Sequence, residues 1–323
     1  MVLATCRPPG PMLEEAVESV RKQTLEDWKL VIVDDGSPDP SGLDDFANAH
    51  GLDVVHQARQ GLCFARNTGL ANTSSLYVAF CDDDDVWLPE KLERQVKMLE
   101  GRPDAVACHC QFEVFSDEGP TSTGTASAYD VHQLLRGERF SLFPTMLIRR
   151  SEIDACGWFS SDFPAAEDVD MTYRLARRGP VLFCDEVLFR YRRHSGNVTN
   201  NLRESSLASL MALEVQRYRQ SVVADRTGAM DARRGKRALG RYWANNDLRG
   251  AANLWRSGRR REAIDLASWT LRTFPRETVS VLATRAARPV VGCSTRSSDP
   301  PGQTGPAGSR TTNGRVGPQD GLV

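Results

Sequence analysis

Long apolar runs are missing from this sequence of 323 residues. No stretch approaches the roughly 20 apolar residues that cross a bilayer, so we expect no integral membrane span. The first residues also lack the basic segment and long apolar segment of a secretory leader. These absences predict a cytoplasmic protein, and peripheral contact with the inner face of the membrane is the further expectation.

Paired metal-ligand cysteines are missing as well. The eight cysteines form no Cys-x-x-Cys pair, and Cys108-His109-Cys110 is tighter than the usual spacings of zinc sites. Alternation along a strand explains this triplet better. We therefore expect reduced, buried thiols rather than disulfides or a zinc centre.

Net charge is nearly absent too, since 41 Lys and Arg balance 42 Asp and Glu. The balance hides an asymmetry, because residues 203–323 carry about 21 basic and about 10 acidic residues, which leaves residues 1–202 acidic. This division indicates two functional regions. The basic region is suited to an anionic membrane, a protein partner or the acidic region itself. Specific nucleic-acid binding is not expected, because no interleaved aromatic pattern supports it.

Strand and helix patterns alternate over the first hundred residues. Such alternation is typical of an α/β fold with a mostly parallel sheet and helices on both faces. Ligands of these sheets bind beyond the carboxyl ends of the strands. The pattern predicts strands at 2–4, 30–33, 54–55 and 76–80, and helices at 12–23, 42–50, 61–72 and 89–99.

The rest of the chain is less regular. The Ser/Thr/Gly-rich stretch 116–128 is predicted as a loop, residues 203–288 as a basic helical region and residues 289–323 as a disordered tail. Helical spacing is clearest at 235–257 and 260–273, where a tetratricopeptide-like pair is one interpretation. Strand-like runs occupy 105–115, 142–149 and 181–191.

Four consecutive aspartates, Asp82 to Asp85, follow the predicted strand 76–80. Like charges at this spacing repel one another unless a cation lies among them. Carboxylate oxygen ligands favour Mg²⁺ or Mn²⁺ over zinc, and these ions usually accompany substrate phosphates. A metal that holds a nucleotide diphosphate is the first hypothesis. The alternative is an acidic turn that only caps the helix beginning near Pro89.

Two further acidic motifs are candidates. Asp34-Asp35-Gly36-Ser37 follows a predicted strand, where a carboxylate is placed to accept hydrogen bonds from a base or ribose, or simply to form an Asx-turn. Glu167-Asp168 precedes a predicted helix, where capping and dipole compensation are the alternative to catalysis.

Several motifs, in order, resemble those of the family 2 glycosyltransferases over about residues 1–200. The resemblance implies the GT-A fold, with a nucleotide-binding half at about 1–100 and an acceptor half at about 101–202. It rests on Val2-Leu-Ala-Thr-Cys-Arg-Pro-Pro, Glu18-Ser-Val-Arg-Lys-Gln-Thr, Val31-Ile-Val-Asp-Asp-Gly-Ser, Gly61-Leu-Cys-Phe-Ala-Arg-Asn-Thr-Gly-Leu, Phe80-Cys-Asp-Asp-Asp-Asp-Val-Trp-Leu-Pro-Glu-Lys-Leu, Glu167-Asp-Val-Asp and Tyr191-Arg-Arg-His-Ser-Gly-Asn.

The resemblance implies a nucleotide-diphospho-sugar donor and a Mn²⁺ or Mg²⁺ ion. Asp35 would hold the base with help from the backbone around Ala4 and Thr5. Asp84 would be the direct metal ligand, and Asp82 and Asp83 would meet the ribose or metal-bound water. Asp85 would only cap the next helix.

Three more roles follow from the same resemblance. Asp168 would be the general base that deprotonates an acceptor hydroxyl, and a single displacement would invert the anomeric carbon. His194 would meet the metal or the diphosphate. Arg66 would contact a phosphate or sugar, although a charge on a helix surface is an equal alternative.

Departures from the family pattern keep other functions open. Ala4-Thr5-Cys6-Arg7 replaces the family's usual Pro-Thr-Tyr-Asn, so the aromatic side chain that often faces the base is missing, and the chain begins inside the first strand. The Gln-x-x-Arg-Trp motif of processive synthases is absent, which favours transfer of a single sugar. Alternatives are a catalytically inactive donor-binding scaffold and, from another enzyme class, a nucleotidyltransferase, which would need a Gly-rich basic loop where only Arg7 and Gly10 stand.

Overall fold

The computed structural model describes residues 1–124, 126–139, 142–163, 166–197, 200–222 and 225–286. The strands are β1 (Val2–Thr5), β2 (Val31–Asp35), β3 (Asp53–Gln57), β4 (Tyr77–Val78), β5 (Phe80–Asp82), β6 (Val86–Trp87), β7 (Ala107–Ser116), β8 (Gly119–Thr123), β9 (Leu147–Arg149) and β10 (Val181–Arg192). The helices are α1 (Pro11–Arg21), α2 (Pro40–His50), α3 (Leu62–Ala71), α4 (Lys91–Glu100), α5 (Val131–Leu135), α6 (Arg150–Cys156), α7 (Glu167–Ala176), α8 (Leu202–Val222), α9 (Arg226–Arg256), α10 (Arg260–Thr273) and α11 (Pro275–Ala286).

A four-stranded parallel sheet in the order β3-β2-β1-β5 forms the first half of the fold. Side chains alternate along each strand, so Leu3 and Ile32 pack in one core cluster with α1, while Val2 and Val31 pack in the other with α3. Helices therefore cover both faces, as predicted. The α/β fold class is confirmed.

A second, mixed sheet adjoins the first, in the order β4-β9-β7-β10-β6 with β8 paired to β7. Only β7 and β10 are parallel among these pairs. Cys108 and Cys110 lie in the core on one side of β7, and His109 stacks near Tyr129 and Phe183 on the other. The cysteines in the described residues are free thiols, so strand alternation does explain the triplet.

Three predictions about strands and loops need correction. The stretch 116–128 contains β8, which forms an edge hairpin with β7. Its side chains are mostly exposed, so its stability comes from backbone pairing and leaves no apolar alternation in the sequence.

The predicted strand 76–80 is also two strands. The chain leaves the second sheet after Val78 and joins the first at Phe80, where β5 pairs with β1. An apolar run indicates that its residues are buried, but it does not show which sheet they belong to. As a result Asp82 is a strand residue. Part of the predicted strand 142–149 is likewise a 3₁₀ turn (Phe143–Thr145) that precedes β9.

The four C-terminal helices agree with the predicted helical region. Helix α8 contacts α7, and α9 lies on α5 so closely that a Cβ on Gly235 would be 1.8 Å from the Leu135 carbonyl oxygen. Asp231 of α9 contacts His132 at 3.0 Å. The basic region therefore packs on α5 and α7.

The predicted tail 289–323 lies outside the described residues. Within the described ranges, no helix has both the length and the apolar character that a bilayer span requires.

Candidate functional site

The carboxyl ends of β1, β2 and β5 share one edge of the parallel sheet. Ala4 pairs with Asp82 and Thr5 with Asp34, which brings three of the sequence motifs together. At the end of β5 the four aspartates form a turn closed by a hydrogen bond from the Asp85 N–H to the Asp82 carbonyl oxygen at 3.4 Å. The turn does not cap α4, whose N-terminal cap is Glu90, without a side-chain cap bond. The capping alternative is therefore wrong.

Asp82 faces a buried arginine. Arg66 Nη2 lies 3.2 Å from Asp82 Oδ1, and Arg66 Nη1 lies 2.9 Å from Glu167 Oε1. The guanidinium is enclosed by the rings of Phe80, Phe143 and Phe159, at 5.5–5.8 Å from their centroids. Arg66 is thus not a surface charge but a cation shared between the aspartate turn and α7.

Withdrawal from water raises the pKa of both carboxyls that Arg66 contacts. For Glu167 the pKa is raised to about 7, and for Asp82 to about 6, although part of the Asp82 side chain reaches solvent. Neighbouring carboxylates add to both shifts, and the Arg66 charge opposes them. Without the charge of Arg66, the pKa values of Glu167 and Asp82 would therefore be higher still.

Asp83 and Asp84 contact a different set of partners. Thr5 Oγ1 donates to Asp83 Oδ2 at 2.6 Å, while Arg7 lies 3.5 Å from Asp83 Oδ1 and 3.4 Å from Asp84 Oδ2. His194 Nε2 lies 2.9 Å from the same Asp84 oxygen. Thr5, Asp83, Asp84 and His194 are thus brought together as predicted.

Asp85 is buried behind the turn. Its Oδ1 accepts a hydrogen bond from the Arg192 N–H at 2.9 Å, and its Oδ2 has no hydrogen-bond partner in the described residues. Burial raises the pKa of this carboxyl well above its ordinary value. Asp85 therefore attaches the turn to β10, and the prediction that it caps the next helix was wrong.

The loop that carries His194 is held by Asn197. Its Oδ1 accepts from the His194 N–H at 2.6 Å, and its Nδ2 donates to the Arg192 carbonyl oxygen at 3.1 Å. The Gly196 N–H donates to His194 Nδ1 at 3.0 Å. With Nδ1 as acceptor, a neutral ring carries its proton on Nε2 and donates it towards Asp84. This arrangement suits a hydrogen-bond donor better than a direct metal ligand.

The two aspartates that end β2 accept hydrogen bonds from different loops. Asp34 Oδ1 accepts from the Ser37 N–H at 2.7 Å, which is the predicted Asx-turn, and Gly36 between them has φ +69°. Asp35 accepts from the backbone N–H groups of Gln60 and Gly61 at 2.7 and 2.8 Å. Asp35 thus also fixes the loop before α3.

The acidic residues at the start of α7 diverge. Glu167 points to Arg66, and Asp170 is fully buried against Arg174 at 2.7 Å. Asp168 is only partly buried, and its Oδ1 accepts from the Val169 N–H at 2.7 Å. Ala166 occupies the cap position without a side-chain cap bond, and the three acidic residues of the first turn compensate the helix dipole.

The carboxylate oxygens of the turn are the type of ligand that a divalent cation such as Mg²⁺ or Mn²⁺ binds. Burial raises the pKa of Asp83, so a nearby cation would favour its charged form. Among the described residues, one group places three candidate ligand atoms within 4.8 Å of one another. It consists of Glu14, Glu18 and His50 and lies at the surface, away from the turn. The turn itself offers two carboxylates on a side that reaches solvent. The phosphates of a bound nucleotide are the usual source of the remaining metal ligands.

Two residues of this site were missed from the sequence. Arg7 follows β1 and reaches the turn, and Arg192 donates from Nε to the Asp84 carbonyl oxygen at 2.9 Å. The spacing Arg192-x-His194 was a signal for the second. The sequence marks Arg7 only as the basic residue that follows the first strand and does not indicate its contact with the turn.

Comparison with known families identifies the first half of the chain. Residues 2–159 match the model described as glycosyl transferase family 2. This region is a glycosyl transferase family 2 domain. Similar proteins include an uncharacterised glycosyltransferase of Rickettsia felis, 26% identical over 57% of this chain, and the amylovoran biosynthesis glycosyltransferase AmsE of Erwinia amylovora, 28% identical over 67%. The matched parts are 32% and 82% of those proteins.

Solved structures share the fold of this glycosyltransferase domain. The mannosyltransferase PcManGT of Pyrobaculum calidifontis, solved with GDP-Man and Mn²⁺, has a TM-score of 0.56 and 18% identity and covers 88% of this chain and 78% of its own. TarS 1–349 of S. aureus, solved with UDP-GlcNAc, has a TM-score of 0.51 and 16% identity, with 66% of each chain covered. The GT-A fold is confirmed.

Proposed function

We propose that the chain transfers one sugar from a nucleotide-diphospho-sugar to an acceptor hydroxyl, with inversion at the anomeric carbon and dependence on Mn²⁺ or Mg²⁺. The observation that carries this proposal is Arg66, which joins the aspartate turn to the first residue of α7. A donor side and a base side are thereby held at the same edge of the sheet. The structural relatives that bind GDP-Man with Mn²⁺ and UDP-GlcNAc support this donor class.

The donor would lie along the ends of β1, β2 and β5. Ala4, Thr5 and Asp35 are assigned to the base and its loop, Asp82 and Asp83 to the ribose or to water bound by the metal, and Asp84 with His194 to the diphosphate and its cation. Bound there, a divalent cation supplies Lewis-acid stabilisation of the leaving diphosphate. The hydroxyl and backbone donors of this edge orient the nucleotide.

Asp168 is assigned as the general base. It is the most accessible carboxylate of the α7 start, because Glu167 is paired with Arg66 and Asp170 is buried. It would take the proton of the acceptor hydroxyl as that oxygen attacks the anomeric carbon. One base with direct displacement gives inversion, whereas retention by double displacement would need a carboxylate nucleophile.

Replacing the base tests this assignment. Asp168→Asn should reduce sugar transfer or donor hydrolysis at least about a hundredfold, in line with general-base contributions, while calorimetric binding of UDP or GDP with Mn²⁺ stays within about twofold. Asp45→Asn, on the exposed face of α2, is the matched control. An equal loss of nucleotide binding in Asp168→Asn would make Asp168 structural, and binding without any transfer by the wild type would favour the inactive scaffold.

The acceptor is proposed to be a hydroxyl of a glycan, lipid or other cell-surface precursor. One similar protein, WfgD of E. coli, is named as a β-1,3-glucosyltransferase that uses UDP-Glc and an α-D-GlcNAc-diphosphoundecaprenol. It is 34% identical over 27% of this chain, and the match covers 35% of that protein. A lipid-linked acceptor would bring the enzyme to a membrane surface.

Helix α9 offers a surface for such contact. Arg226, Arg233, Arg237 and Arg241 are exposed on one face of the helix, beside the exposed Met230. Within the described residues none of these four arginines forms an ion pair, and the like charges at i,i+4 repel one another. We therefore propose contact of this face with an anionic membrane, with a protein partner as the alternative.

Vesicle binding tests this contact. Sedimentation with phosphatidylglycerol-containing vesicles should retain the wild type at low salt and release it at high salt. The triple change of Arg233, Arg237 and Arg241 to Gln should weaken binding about a hundredfold, at roughly 1 kcal/mol per arginine. Retention of the triple variant would favour the protein partner.

A further inference from the structure

Three arginines surround the aspartate turn, and they are held very differently. Arg66 is enclosed by aromatic rings, and the Arg192 side chain is 8% exposed and contacts both the turn backbone and Glu15. Arg7 is 39% exposed and stands 3.4–3.5 Å from Asp83 and Asp84. Charge-assisted hydrogen bonds at full strength measure about 2.7–2.9 Å, so the Arg7 contacts are the loose ones.

Arg7 covers the carboxylate oxygens that a divalent cation would use. Its guanidinium spans Asp83 Oδ1 and Asp84 Oδ2. A metal ion on these oxygens and a guanidinium in the same place would repel each other. Both cations therefore compete for one pair of carboxylates.

The backbone of Arg7 is anchored while its side chain is exposed. The Arg7 N–H donates to Thr5 Oγ1 at 3.2 Å, and the same hydroxyl donates to Asp83. The Arg7 backbone is thus fixed at the edge of the site, while rotation about the bonds of its long side chain can move the guanidinium. Its planar fork also matches phosphate oxygens.

We propose that Arg7 neutralises the Asp83–Asp84 pair in the free enzyme and exchanges this pair for the donor's diphosphate when a divalent cation enters. This inference rests on the proposed function, since the diphosphate is its second partner. The cation then binds weakly alone and more tightly with the nucleotide, because only the nucleotide offers Arg7 another anion. The coupling is reciprocal, so the cation tightens nucleotide binding by the same factor.

Mn²⁺ titrated alone tests the first half of the exchange. The electron paramagnetic resonance signal of free Mn²⁺ reports binding without nucleotide or activity. Arg7→Gln should bind Mn²⁺ about fivefold more tightly than the wild type, because the competing charge is gone. Arg7→Lys, which keeps the charge, and Arg102→Gln, a change in an exposed surface ion pair, should stay within about twofold of the wild type.

Nucleotide binding tests the second half. With saturating Mn²⁺, Arg7→Gln should bind UDP or GDP at least about fivefold more weakly than the wild type, because one phosphate contact is lost. The factor by which Mn²⁺ improves nucleotide binding should also fall in this variant. Thermal unfolding near that of the wild type would exclude misfolding.

The outcomes separate this inference from the proposed function. Unchanged or weaker Mn²⁺ binding by Arg7→Gln would overturn the exchange, as would unchanged nucleotide binding. If the wild type binds UDP or GDP equally well in EDTA and Arg7→Gln does not, Arg7 is a permanent substitute for the metal and the exchange is wrong. If the wild type binds neither nucleotide under any condition, the proposed function itself fails, whatever the Mn²⁺ titration shows.

Discussion

Replacing Arg66 with methionine removes the buried cation that Asp82 and Glu167 share. The change keeps a side chain of similar length inside the ring of Phe80, Phe143 and Phe159, so it removes charge more than volume. Breaking a buried ion pair by removing one partner costs about 3–5 kcal/mol. Glu167 is 6% exposed but Asp82 is 31% exposed, so the lower value of about 3 kcal/mol is expected near pH 7.5.

The loss should depend on pH with a definite sign. The pKa of Glu167 is already about 7 in the folded protein, above its ordinary value of 4.5. A raised carboxyl pKa means that its stability contribution is present at low pH and lost as the pH rises towards the folded value. Without Arg66 both pKa values rise further. The cost of the change should therefore be smaller at pH 5, where both carboxyls take up protons, than at pH 7.5.

Thermal unfolding at the two pH values measures this directly. About 3 kcal/mol corresponds to a fall in melting temperature of roughly 6–12 °C at pH 7.5. Arg102→Met, which breaks a surface ion pair with Asp104, should cost less than about 1 kcal/mol at either pH. A fall below about 2 °C in Arg66→Met, or an equal fall at both pH values, would refute the shared-cation reasoning.

Three further changes test other parts of the molecule. Gly235→Ala should lower the unfolding free energy by about 1–3 kcal/mol in urea titrations, since its Cβ would meet the Leu135 carbonyl oxygen at 1.8 Å. Asp247→Asn should flatten the pH dependence of the urea midpoint between pH 4 and 7, because burial raises the pKa of this carboxyl to about 7 and its stability contribution is lost as the pH rises through that range. Asn197→Ala should lower kcat/KM about tenfold or more with little change in stability, because the amide fixes the His194 loop.

Each of these changes has a control. Gly101→Ala, whose Cβ would have no neighbour closer than 3.5 Å, should be nearly neutral where Gly235→Ala is not. Asp265→Asn on the exposed face of α10 should leave the pH dependence unchanged. Asn253→Ala, far along α9, should keep full activity. If a control behaves like its partner, the contact named for that partner is not the cause.

The sequence pattern was enough to locate the parallel sheet and its acidic edge. Strand ends at Asp35 and the aspartate turn follow from short apolar runs that alternate with helices, and parallel strands place their carboxyl ends together. The pattern could not show that the run 76–80 serves two sheets, because burial in either sheet looks the same. It also could not show β8, whose pairing is carried by backbone groups.

The position of Arg66 could have been found from its helix. Cys63, Arg66 and Leu70 lie on one face of α3 at i, i+3 and i+7, and the two neighbours are buried. An arginine in an apolar stripe needs an internal carboxylate. Its two carboxylate partners, Asp82 and Glu167, lie 16 and 101 positions away in the sequence, and local patterning does not identify either of them.

Each of the four aspartates has a partner in the folded protein. Asp82 is paired with Arg66, Asp84 with His194 and Arg7, Asp83 with Thr5 and Arg7, and Asp85 with the backbone of Arg192. Repulsion within the turn therefore does not by itself require a metal ion. Among the arginine side chains that neutralise the turn, Arg7 is the exposed one. Arg66 also contacts Glu167, the residue before the proposed base. A change in charge on the turn therefore alters the electrostatic potential at the start of α7. The aspartate turn and the start of α7 are in this way parts of one charge network.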